Sequence, residues 1–292
     1  MKKNLLVFAF VICNVITVLA QDAQTDRNQT FSINICNVQY VHHGEKLSAG
    51  EAVGKMLTGL ATGQTSVEAS KYESDVKNAI VKGLSTSYRF RFDDSLTSLS
   101  KDIKEGSIIV DAIISNIQSK SSSYPLKDND KKTYVSTTYT GLVEVLLNLK
   151  DAKTGDVIVS PSFSGQSSTG STYSTPDQAV KNAIEKLSNR ITDWLNKYRP
   201  LQANIIEGST AKKDKQKEVY IDLGSSEGAF AGLHMGVFMI KTVAGREAKT
   251  QIGKLKIEAV EGDDISLCKV QSGGKEIKAA IEAGHQLRVI SL

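Results

Sequence analysis

The segment that most limits the folds open to this chain runs from Thr175 to Pro200. Thr175 precedes Pro176 and stands three residues before Gln178. That order is a capping box with proline at the first helical position, where its missing N–H costs no hydrogen bond. Val180, Ile184, Leu187, Ile191 and Leu195 then recur about once per helical turn, Trp194 and Tyr198 extend the stripe, and Pro200 stops the run. A helix with one long apolar face must lie on a sheet or another helix. It also divides the chain. Upstream, strand-like and helix-like stretches are mixed; downstream there is little helical periodicity.

Upstream, "FSINICNVQYV" is rich in β-branched and aromatic residues and predicts a strand. Val53, Met56, Leu57 and Leu60 have helical spacing, interrupted by Gly50, Gly54, Gly59 and Gly63. Tyr72, Val76, Ile80 and Leu84 predict an amphipathic helix. In "YRFRF", Tyr88, Phe90 and Phe92 share one strand face and Arg89 and Arg91 the other, which reads as an exposed face rather than a basic patch. "SIIVDAIISNI" is a continuous apolar run, as in a strand buried on both sides. "TGLVEVLLNLKDAKTGDVIVSPSF" predicts a hairpin with Val143, Val145, Leu147 and Leu149 on one face and Gly155 in the turn. Residues 31–200 therefore form an α+β layer. Trp194 and Tyr198 read as packing residues, with a sugar-gripping pair as the alternative.

Downstream, "TAKKDKQKE" is charged and free of large aliphatics, so residues 201–217 read as a linker. The short strands "EVYIDL", "GVFMIKTV", "QIGKLKIEAV", "ISLCKVQS" and "HQLRVISL" follow at regular spacing. They predict a small all-β barrel over residues 218–292, in which "GKEIKAAIEAG" makes one helical turn. Within "GSSEGAFAGLHMGVF", Gly224, Gly228, Gly232 and Gly236 fall every fourth residue. No phosphate-loop pattern fits and the apolar stretch is too short for a membrane helix, so they read as turns at the barrel's corners.

The N-terminus predicts an export signal over residues 1–20: Lys2 and Lys3, the apolar stretch "LLVFAFVICNVITVLA", and the small-residue end Val18-Leu19-Ala20. Cys13 lies inside that stretch behind the bulky Phe10-Val11-Ile12, which does not make a lipid-attachment box. No later run reaches the roughly 18 apolar residues of a membrane helix. Without Lys2 and Lys3 the 36 basic residues become 34, against 32 acidic ones. That near-balance gives no support to nucleic acid as a partner. Cys36 and Cys268 read as free buried thiols in separate domains.

Local metal-site signatures are missing. His42, His43, His234 and His285 include no pair four residues apart, and no Cys-x-x-Cys or His-Glu-x-x-His pattern occurs. Asp93-Asp94 and Asp263-Asp264 sit in expected turns. The expectation is a protein that is not an enzyme, with no catalytic, cofactor-binding or metal-binding residue and no cofactor.

"EGSIIVDAIISNI", "GLVEVLLNLKDAKTGDVI" and the helix that follows resemble the core of the CsgG family of curli-secretion lipoproteins, with related α+β domains in the N-terminal part of TolB. "VYIDLGSSEGAFAGLHMGVFMI", "IGKLKIEAV" and "IEAGHQLRVI" resemble the C-terminal barrel of the flagellar accessory protein FlgT. The resemblance implies envelope assembly or secretion, in a ring of identical subunits or through other envelope proteins. The family's pore needs two membrane hairpins per subunit. Here "QSKSSSYPLKDNDKKTYVSTTYTG" is long enough but polar, and "SGQSSTGSTYST" has no aliphatic residue. The fold and compartment carry over; the channel does not. The expectation is a non-catalytic periplasmic accessory protein, with any membrane association peripheral. The alternatives are a CsgG-type outer-membrane pore subunit and a cell-wall or carbohydrate-binding module.

Overall fold

The computed structural model describes residues 27–40, 72–97, 102–127, 129, 132–168 and 173–292. The expected export signal with Cys13, the glycine-interrupted helix at 53–60 and the His42-His43 pair lie outside the described residues. The chain divides into two compact units: Phe31–Leu195, and the residues up to Thr30 together with Asn196–Leu292. The fold is α+β followed by a small closed barrel.

In the first unit, β1 (Phe31–Tyr40) pairs in parallel with β2 (Phe90–Phe92) and with β3 (Ile108–Lys127). β4 (Thr133–Asp151) runs antiparallel to β3 along its whole length and carries β5 (Val157–Val159) and β6 (Ser162–Gln166) on its other edge. The turn after β4 is the expected one, with Gly155 at φ +77°.

Among the described residues, two helices supply the second layer. In α1 (Glu73–Ser85), Val76, Ile80 and Leu84 are buried, as their spacing predicts. α2 (Pro176–Tyr198) starts on Thr175, whose hydroxyl accepts the Gln178 N–H at 3.3 Å. Its stripe Val180, Ile184, Leu187, Ile191 and Leu195 is buried, and so are Val143, Val145, Leu147 and Leu149 of β4. α2 lies so close to the sheet that a Cβ on Gly141 would stand 2.3 Å from the Ala179 carbonyl. A bulge at Ser115 reverses which residues of β3 face the helices. One expectation fails here. Arg91 is exposed, but Arg89 is 6% exposed, with its guanidinium 5.4 Å from the centre of the Phe31 ring. Its position just before the short β2 places it under Phe31, and a cation over an aromatic face can be buried there.

In the second unit, β10 (Glu218–Ile221), β13 (Ser266–Ser272), β12 (Arg246–Val260), β11 (His234–Val243), β14 (Leu287–Ser291) and β7 (Gln202–Gly208) close into a barrel in that order. Val219, Ile221, Met235, Val237, Leu255, Ile257, Cys268 and Val289 fill it.

Residues 201–217 are thus not a linker. β7 is a barrel strand, and Ala211–Lys212 and Lys215–Gln216 form a small hairpin, β8 and β9. The signal in "QANIIEG" is weak because the strand buries only Ala203 fully. The helical stretch is also longer than one turn: α3 (Gly274–Glu282) seats Ile277 and Ala280 in the core. The glycine period resolves into different roles. Gly228 and Gly232 make turns at φ +92° and +100°, and Gly224 passes against the backbone of Asp263 and Asp264. Gly236 is not a corner; it lies within β11, paired with Lys254 and Ile290.

Candidate functional site

Beyond Gly141 and its partner Ser119, β3 and β4 leave the helix-covered sheet and continue as a two-stranded arm. Eight further residues of β3, out to Lys127, give it a reach of about 27 Å at ~3.4 Å per residue. Every residue from Ser119 to Lys127 is exposed, as are Thr133, Tyr134 and Val135. The sequence explains both the strand geometry and the exposure. Ser, Thr, Tyr and Val favour an extended backbone, while the scarcity of aliphatic residues leaves nothing to draw the arm onto a core.

The register sorts the arm's side chains onto two faces. Leu126 lies opposite Tyr134 and Tyr124 opposite Ser136, on the face away from the helices. Pro125 opposes Val135, and the Ser123 and Thr137 hydroxyls meet at 2.9 Å, on the helix side. The outer end therefore carries Tyr124 at 38%, Leu126 at 38%, Tyr134 at 51% and Val135 at 70% exposure. Apolar residues cluster there, and hydroxyls occupy the stretch between that cluster and the sheet.

The arm's two edges differ. On β4, the Tyr139 N–H donates to the Tyr173 carbonyl and the Gly141 N–H to the Ser167 hydroxyl, so both residues point their backbone groups away from β3. By alternation, Val135 and its neighbours Thr133 and Thr137 do the same. Pro125, which has no N–H to give β4, opposes Val135 at just such an outward position. The β3 edge is blunted by Lys120, Pro125 and Lys127, whereas Thr133–Thr140 contains no charge and no proline. The segment that starts to cover β4 at Tyr173 turns into α2 at Pro176, so it cannot follow the edge outward.

The other candidates resolve into structural roles. Asp93 accepts the backbone N–H and hydroxyl of Ser95, and Asp263 accepts the Ser225 hydroxyl at 3.0 Å, both as turn residues. His234 contacts the Gln271 side chain at 3.2 Å on the surface. Trp194 packs edge-on against Phe163, with centroids 5.9 Å apart. Among the described residues, no group of three or more His, Cys, Asp or Glu side chains could hold a metal ion. Cys268 is buried as expected, and burial pushes its thiol up to about 12. Cys36 is exposed instead, because it occupies the bulge in β1; partial burial and then the Asp111 carboxylate raise its pKa, with Lys150 opposing. Both shifts disfavour a thiolate nucleophile. A groove of about 350 Å³ between α1 and α2 is lined by Asp75, Lys82, Lys181 and Glu185, whose charges cancel.

Two polar constellations were not legible in advance. Lys150 and Asp111 form an ion pair at 2.5 Å on the sheet face away from the helices. In the barrel unit, Arg27 grips both carboxylate oxygens of Asp222 at 3.1 Å, and Asn28 donates to Gln202 O and Glu227 Oε1. Their members lie 39 to about 200 residues apart in the chain, and no local spacing marks them.

No family model matches the chain, and no curated protein matches it in sequence. Among solved structures it is similar to the hypothetical protein CT253 from Chlamydia trachomatis, at 9% identity and a TM-score of 0.31, over 58% of this chain and 95% of that one. It is also similar to a DUF330 protein from Xanthomonas campestris, at 11% identity and a TM-score of 0.32, over 59% and 86%. A third is a neuraminyllactose-binding hemagglutinin homolog from Helicobacter pylori, at 14% identity and a TM-score of 0.29, over 59% and 88%. No helix among the described residues is long and apolar enough to cross a membrane.

Proposed function

We propose that this protein is a non-catalytic, exported envelope factor that works in assembly or secretion by contact with other proteins, with the arm as its contact element. The leader-like residues 1–20 support the compartment, and the resemblance to the CsgG and FlgT families supports the role. The observation that carries the reading is the arm itself: two paired strands held clear of the core, with Tyr124, Leu126, Tyr134 and Val135 exposed at the outer end. A chain gains nothing in stability by leaving such residues in water, and clustered exposed apolar side chains mark interaction sites.

The pore-subunit reading keeps one point in its favour, since the arm is long enough to cross a bilayer core. Its chemistry argues against it. A lipid-facing band about 25 Å tall needs apolar residues at every second position. Here Gln118, Lys120 and Ser122 on β3, and Ser136, Thr138 and Thr140 on β4, occupy that band. A photocrosslinking residue in place of Tyr134, activated in intact exporting cells, separates the readings. Discrete protein adducts are expected. Adducts to lipid alone would favour the pore, and no adduct at all would remove the arm from either account.

A further inference from the structure

Resting on the assignment of the arm as the contact element, we propose that its β4 edge is a self-pairing surface. A second copy of this chain docks there in antiparallel fashion about a two-fold axis at Val135, so that two arms form one four-stranded sheet.

The choice of edge follows from its chemistry. Thr133, Val135 and Thr137 present backbone N–H and C=O groups outward, continuing the row that Tyr139 and Gly141 begin with Tyr173 and Ser167. An exposed strand edge with no lysine, proline or inward charge is a template for another strand. The β3 edge is not, because Pro125 lacks a donor and Lys120 and Lys127 flank it. A head-to-tail ring would join one open edge to one blunted edge at every seam. A two-fold pair joins open edge to open edge and leaves both blunted edges to solvent.

The free outward residues set the register. They must meet as hydrogen-bonded pairs, and with Tyr139 and Gly141 already engaged by Tyr173 and Ser167 the free ones are Thr133, Val135 and Thr137. An axis at their centre pairs all three, so Val135 opposes Val135, and Thr133 of each copy opposes Thr137 of the other. The residues between them then place Tyr134 of each copy opposite Ser136 of the other. Tyr124 already neighbours Ser136 and Leu126 neighbours Tyr134. The row across the joint sheet therefore reads Tyr124, Ser136, Tyr134, Leu126, repeated in reverse on the next row. Tyr124, Leu126 and Tyr134 of both copies become one continuous cluster on the face away from the helices. Thr133–Thr140 holds no charge, so the two-fold brings no like charges face to face. Each cross-strand pair of this kind adds only a small increment of stability. The joint is small, and the association is accordingly weak and concentration-dependent.

The test uses the protein purified from an exporting host, at about 200 µM because an interface of this size needs high concentration. Sedimentation should show a monomer–dimer equilibrium. Val135→Pro removes one outward N–H at the axis and no β3–β4 ladder bond, so the dimer fraction should fall about tenfold with the melting midpoint unchanged. In a Cys36→Ser background, V135C should oxidise to a covalent dimer, while S123C, two strands from the axis, should not. A monomer at this concentration, a dimer indifferent to Val135→Pro, or equal crosslinking at both sites would overturn the proposal. Tyr134 adducts to other envelope proteins, found with a monomeric protein, would end self-pairing and leave the assembly-factor reading standing.

Discussion

Cys268 illustrates how one side chain ties pH to stability in the barrel. It is fully buried among apolar residues, and that burial raises its pKa to about 12, well above the ordinary value near 8.5. The folded state therefore holds a proton that the unfolded chain releases first. The stability contributed by the neutral thiol is complete below the ordinary pKa and drains away as the pH climbs from there toward 12. Cys36 differs: it is exposed, and its smaller upward shift comes from partial burial and then Asp111. At pH 8, an aromatic disulfide reagent should label Cys36 more slowly than a free thiol and leave Cys268 untouched until denaturant opens the barrel. Raising the pH to 10 should speed Cys36 alone. Rapid native labelling of both thiols would show that the barrel does not exclude solvent as its burial implies.

The sheet and its arm are one pair of strands with two environments, and a paired substitution across them measures the boundary. Gly141 and Ser119 face each other in the register. A Cβ on Gly141 would sit 2.3 Å from the Ala179 carbonyl of α2, whereas Ser119 is exposed. Gly141→Val should cost about 1–3 kcal/mol by forcing α2 off the sheet, while Ser119→Val should stay within about 0.5 kcal/mol. Thermal melts of the two variants check this; equal effects would place the helix contact elsewhere.

Much of this element pattern was readable in advance because the period of the apolar residues reports which face is buried. The stripe of α2, the capping role of Thr175 and the run of β3 all carry that signal. β7 was not legible, since it buries little and adjoins the charged "TAKKDKQKE" segment. Nor was the pairing edge of the arm. "TYVSTTYT" shows strand propensity, but which backbone groups face outward depends on the register with β3 and on where α2 begins.

At the scale of the whole molecule, the barrel unit is assembled from both ends of the described chain, with the α+β unit inserted between them. Arg27 and Asn28 close that arrangement. Asp222 accepts both Arg27 and the Asn204 side chain, and Glu227 accepts Asn28, with Arg27 and Asp222 only 15% and 16% exposed. A fragment that begins at Tyr198 keeps all six barrel strands and the Asn204 bonds to Asp222 but loses the Arg27 cation that balances its carboxylate. Removing one member of a buried pair costs about 3–5 kcal/mol, and the residual exposure here brings that to about 2–3 kcal/mol. The fragment should melt well below the barrel transition of the full chain. A synthetic peptide of residues 25–30 should raise its midpoint saturably, as any ligand of the folded state does. The same peptide with Arg27→Lys should do so less, because an ammonium cannot span both carboxylate oxygens. A fragment that is stable alone and indifferent to the peptide would show that the barrel's strands suffice, and that the Arg27 grip decorates the unit rather than completing it.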